Sequence, residues 1–211
     1  MKKTMKRISG LSVIFLLLIT SCASTLTDVW KSDSYQERTF KKVFVMSALQ
    51  EPVMIKLFED EFVSQLASHE IDSVASYTFF QTHGIFEKEY ITSEIKAQDA
   101  DTLLIMRLIK VDKKVIDAIP QKFVIPVWYY DWYQYYIRNA GYIQIPKYNE
   151  ENYLIIMETA LYDTGSEQLI WFARSEILTV MCGCQALKAY VKVMTDKLSS
   201  DRSIKIKAGN Y

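Results

Sequence analysis

The sequence predicts a single α/β domain: a mixed sheet of three parallel crossover strands plus a C-terminal antiparallel hairpin, flanked by helices. Two observations carry this. Between residues 41 and 111, short β-rich apolar runs alternate with amphipathic helical stretches, the order that right-handed crossovers turn into a parallel sheet. Further on, "NYLIIMETALY" and "EQLIWFARSEIL" are long apolar runs separated by "DTGS", whose Asp, Gly and Ser are turn formers.

Each element has its own local reason. "KKVFVMSAL" (41–49) is a short apolar run closed by Gln50, Glu51 and Pro52, and Pro52 suits the first turn of a helix, where its missing N–H costs nothing. In the stretch that follows, Met54, Leu57, Phe58, Phe62 and Leu66 fall near helical spacing, leaving Lys56, Glu59, Asp60 and Gln65 for water. "IDSVASYTFF" (71–80) reads as a second strand, "TSEIKAQDAD" (92–101) as a short helix and "TLLIMRLIKV" (102–111) as a third strand. After the hairpin, "CGCQALKAYVKVMTDKLSS" places Leu187, Tyr190, Val191, Met194 and Leu198 on one helical stripe. The polar tail 201–211 reads as frayed, and no repeat of solenoid length is visible.

The N-terminus carries an address. Lys2, Lys3, Lys6 and Arg7 precede the apolar run "LSVIFLLLI", which is shorter than the roughly 20 residues a membrane-spanning helix needs. Residues 1–21 therefore read as an export signal. The sequence Ile19-Thr20-Ser21-Cys22 resembles a bacterial lipobox. That resemblance implies a diacylglyceryl group on the Cys22 sulfur, cleavage before Cys22 and acylation of the new amino group. Two or three fatty chains on one residue hold a protein durably to a bilayer, where a single chain would not. Ala23 stands where sorting rules for such proteins place an aspartate for inner-membrane retention, so the expected destination is the outer membrane, facing the periplasm. Residues 22–40 then form a lipidated lead-in, and 41–200 the domain.

Removing residues 1–21 takes away four basic residues and no acidic ones, leaving 21 Lys plus Arg against 25 Asp plus Glu. A net charge near minus four gives no basic field for nucleic acid, and that class is excluded.

Among chemistry-bearing residues, Glu158 and Arg174 share a face in any hairpin register that pairs even with even positions, and an ion pair between them is the structural expectation. Cys182 and Cys184 flank Gly183. A bridge between them would close a small, strained and reducible ring; two free thiols or an inert local bridge are the plainer readings. His69 suits the end of the first long helix, and His83 sits beside Gly84 without a triad or paired metal-ligand spacing. No metal, cofactor or catalytic constellation is expected.

The least ordinary stretch is "WYYDWYQYY" (128–136), seven rings in nine positions, within an insertion of about 118–152 that also holds Pro120, Pro126, Gly141 and Pro146. As a strand or as a helix, Trp128, Tyr129, Tyr130, Trp132, Tyr133, Tyr135 and Tyr136 would cover more than one face. Two readings stay open: a binding surface made of rings with polar tips, or a lid that covers the sheet with its own rings.

The lipobox, "TDVWKSDSY", "LFEDEFVSQLASHEIDSVASYT", the aromatic insertion and "METALYDTGSEQLIWFARSE" together resemble a group of Gram-negative bacterial lipoproteins carrying a domain of unknown function. More distantly, the arrangement is similar to periplasmic lipoproteins that assist transporters or envelope assembly. The resemblance implies an α/β fold and an envelope address, and supplies no catalytic residues. The functional expectation is a non-enzymatic adaptor or assembly factor that meets the membrane through lipid on Cys22 and an unidentified envelope protein through its rings. The alternative is an auxiliary protein binding a lipid, glycan or other small ligand, and a third, weaker reading is thiol redox chemistry at Cys182 and Cys184.

Overall fold

The computed structural model describes residues 24–33, 41–80, 84–112, 123–138, 153–179 and 183–201. Among these residues six strands form one sheet in the order β1-β6-β5-β4-β2-β3. The elements are β1 (Ser24–Lys31), β2 (Lys42–Ser47), α1 (Pro52–Ser68), β3 (Asp72–Ala75), α2 (Lys88–Ala97), β4 (Thr102–Asp112), α3 (Trp132–Ile137), β5 (Tyr153–Asp163), β6 (Leu169–Thr179) and α4 (Gly183–Ser200).

The parallel-sheet expectation holds only in its coarser form, a mixed α/β sheet. Among the described residues just two pairings are parallel, β2 with β3 and β2 with β4, and they are short. The long ladders are antiparallel: β4 with β5, β5 with β6 and β6 with β1. The imbalance has two local causes. The run 71–80 keeps only four residues in strand and then tightens into a 3-10 turn at Ser76–Thr78. Residues 24–31, read from sequence as lead-in, instead pair along the open edge of β6.

A bulge in β1 between Leu26 and Asp28 sets two steps of that strand against one of β6. The extra residue turns the strand over: Leu26 packs with the core on one face of the sheet and Trp30 with the core on the other.

That first face is covered by α1 and α4. Phe58, Phe62 and Leu66 meet Tyr190, Val191, Met194 and Leu198 over Val45, Leu104 and Leu161. The stripe expected for α4 is buried throughout. On α1 the expectation fails at two positions. Leu57 is exposed and Glu59 is buried, because Glu59, Phe62 and Leu66 lie on consecutive turns of the inward stripe. The second face is covered by α2, through Ile91 and Ile95, and by the aromatic segment.

Candidate functional site

Residues 123–138 lie against the second face of the sheet, and their local structure follows from two residues. Pro126 leads into a 3-10 turn at Val127–Tyr130, and Asp131 caps α3, its Oδ1 accepting from the backbone N–H of Tyr133 (2.9 Å) and Gln134 (3.1 Å). The helix buries Trp132, Tyr135 and Tyr136, which are i, i+3 and i+4 neighbours, and Tyr129 is buried just before it. Tyr133 is half-buried, and its hydroxyl donates to the Phe86 carbonyl. Trp128 is half-buried with Arg107 (4.8 Å) and Arg138 (5.1 Å) near its ring, while Tyr130 is exposed and meets Trp30 edge to face. Most of the ring run is therefore sheet cover. The remainder of the expected insertion lies outside the described residues.

Under this cover runs a row of charge. Arg107 of β4, Glu158 of β5, Arg174 of β6 and Asp28 of β1 are successive register partners. Glu158 is fully buried. Its Oε2 accepts from Arg107 Nε (3.0 Å) and its Oε1 from Arg174 Nε (2.9 Å) and Nη2 (2.5 Å). The Tyr129 hydroxyl donates to the same carboxylate at 3.0–3.1 Å and accepts from Arg107 Nη2 at 2.8 Å. Arg107, itself 2 % exposed, also donates to the Tyr135 carbonyl and lies over the Tyr135 ring at 4.1 Å.

Burial and the Glu158 charge push Tyr129 up to about 12, so it stays a neutral phenol across ordinary pH and acts as a donor. Glu158 and Arg107 are shut away from solvent, while Arg174 closes the cluster at its edge with part of its side chain still exposed. The arrangement fastens three strands to the segment above them. Sequence parity placed Glu158 and Arg174 on one face; Tyr129 was a candidate only as an interface ring, and Arg107, which completes the cluster with it, was missed. A lone Arg inside the apolar run "TLLIMRLIKV" was the available signal.

Glu59 makes a second buried carboxylate site. It accepts from Ser47 N (2.8 Å), Ser47 Oγ (3.0 Å), Ser76 Oγ (3.0 Å) and Tyr77 N (3.0 Å), at the C-terminal ends of β2 and β3. Burial raises its carboxyl to about 7, against the pull of those donors. The adjoining crevice holds about 20 Å³, room for one water and no organic ligand.

A larger cavity, about 250 Å³, opens between α2, Trp132 and the β5–β6 turn. Ile95, Leu103, Trp132 and Tyr162 supply its apolar walls, all at most 4 % exposed. The turn forms the opposite wall, held by Asp163 Oδ1, which accepts from Ser166 N and Oγ. An ion pair from Lys88 to Glu167 (2.5 Å) ties α2 to that turn.

The other sequence candidates do not converge on these sites. His69 caps the C-terminus of α1, and its Nε2 lies 3.2 Å from Asp196 Oδ1. Cys184 lies in the first turn of α4, while Cys22, Cys182 and His83 lie outside the described residues. Among the described residues no group of three His, Cys, Asp or Glu could hold a metal.

No family model matches the chain, and no curated protein matches it. Among solved structures, it is similar to a PelC dodecamer from Paraburkholderia phytofirmans, over 87% of this chain and 100% of that one, at 11% identity and a TM-score of 0.48. It is also similar to the lipoprotein GNA1162 from Neisseria meningitidis, over 76% of this chain and 99% of that one, at 9% identity and a TM-score of 0.40. Likeness at this level assigns no activity.

Proposed function

We propose that this chain is a lipid-anchored envelope protein whose domain is held close to the outer membrane and acts by binding a protein partner, without catalysis. One observation carries the reading: β1 begins at Ser24, two residues after the lipobox Cys22. Two residues span at most about 7 Å, so a lipidated Cys22 leaves no linker between bilayer and fold.

The partner surface is the outer edge of the aromatic segment, where Val124 (76 %), Val127 (87 %) and Tyr130 (40 %) are exposed. Tyr130 meets Trp30, six residues along β1 from Ser24, or about 20 Å from the anchored end. With β1 running away from the bilayer, that offset puts the surface beyond the lipid headgroups and within reach of an envelope protein. Val127→Asp and Tyr130→Ala, both at exposed positions, are expected to fold normally and to lose partner recovery after crosslinking in whole envelopes. Unchanged recovery would refute the binding surface.

A second reading, an auxiliary protein that binds a small ligand, is favoured by the cavity walled by Trp132.

A further inference from the structure

The cavity beside Trp132 has a size and a polarity that narrow what it can take. An apolar cavity of about 150 Å³ already accepts a benzene ring, and ligand pockets start near 300 Å³. At about 250 Å³ this one suits one or two fused rings or a short branched chain. Its floor is apolar and rigid: Leu103 and Tyr162 belong to β4 and β5, and the Tyr162 hydroxyl is turned away, donating to the Tyr129 carbonyl at 2.7 Å.

Both ends of α2 carry a lysine, and the two differ in what they pair with. Lys88, at the first turn, is committed to Glu167 and lies 5.5 Å over the Trp132 ring. Lys96, eight residues on and about 12 Å along the helix axis, is exposed, lines the cavity and has no ion-pair partner among the described residues. Between them Thr92 and Ile95 face the opening. The acidic side chains on the facing turn are engaged elsewhere, Glu167 by Lys88 and Asp163 by the turn's own Ser166. The free cation therefore sits at the mouth of an apolar slot.

We propose that this cavity binds a compact apolar ring or short branched chain carrying one acidic group, with the body against Leu103, Trp132 and Tyr162 and the anion at Lys96. The inference rests on the ligand-binding reading above and adds the chemical class.

The test is isothermal titration of the full chain in phosphatidylcholine nanodiscs, with empty nanodiscs as blank, using 2-naphthoate and its neutral analogue 2-naphthylmethanol. Saturable naphthoate binding is expected, with Lys96→Glu weakening it roughly tenfold while leaving the neutral analogue unchanged. Thr92→Trp, which fills the slot, is expected to abolish both; Lys96→Glu alters only an exposed position and keeps the test readable if the larger side chain disturbs folding. If neither probe binds the wild-type chain, the ligand-binding reading itself fails. If both bind with equal affinity and Lys96→Glu changes nothing, the cavity stands and the acidic class is overturned. Undiminished binding to a folded Thr92→Trp chain would place the probe elsewhere and overturn the site.

Discussion

Glu158 shows how much a single buried residue governs. Two guanidinium groups and a phenol converge on its carboxylate at 0 % exposure, so truncating it leaves Arg107 buried beside no counter-charge. Glu158→Ala is expected to cost about 3–5 kcal/mol in urea unfolding, and Arg107→Ala a similar amount. Replacing both by apolar side chains of like volume should cost less than either single change. Glu59 behaves differently because its partners are backbone and serine donors with no cation among them. Its carboxyl sits near 7 in the fold against an ordinary 4.5, so the folded state holds the proton more tightly. The resulting stability is fully present below pH 4.5 and is lost as pH rises through about 7. Urea midpoints between pH 5 and 8 should therefore fall more steeply for wild type than for Glu59→Gln, with a difference on the order of 3 kcal/mol across the window. Parallel slopes would contradict this. Sequence reading sent Glu59 to solvent because the N–H groups that receive it come from Ser47 and Tyr77, and backbone donors leave no trace in residue identities.

At the scale of elements, legibility tracked how local the determinants are. The hairpin and α4 were readable because turn chemistry at "DTGS" and a single apolar stripe decide them within their own sequence. β1 was not, since "STLTDVWK" becomes a strand through pairing with an edge of β6 that lies some 150 residues away. α3 was hidden for another reason: rings on every side masked the buried trio Trp132, Tyr135 and Tyr136, and the helix declares itself only through the Asp131 cap. That cap makes a prediction. Asp131→Ala should lower stability by about 1 kcal/mol and raise hydrogen exchange selectively at Tyr133 and Gln134, whose N–H groups it satisfies. Trp132→Ala, which opens the sheet cover, should cost about 3–5 kcal/mol, whereas Tyr130→Ala should stay within about 0.5 kcal/mol.

For the whole molecule, the sheet divides two tasks between its faces. α1 and α4 seal one side with aliphatic and aromatic packing, while the other carries the buried charge row, its aromatic cover and the cavity. The edge strand β1 joins this body to Cys22 with almost no slack. Inserting a flexible ten-residue linker after Ala23 should leave the fold intact and reduce recovery of an envelope partner that depends on a fixed height above the bilayer. The proposed envelope role depends on the tether, and its direct measurement is incorporation of radiolabelled palmitate into the native chain beside Cys22→Ala, followed by separation of membrane from soluble fractions. Label on the native chain, none on the variant and release of the variant from membranes are the expected results. An unlabelled native chain, or a variant that matures and stays membrane-bound like the native one, would contradict the account.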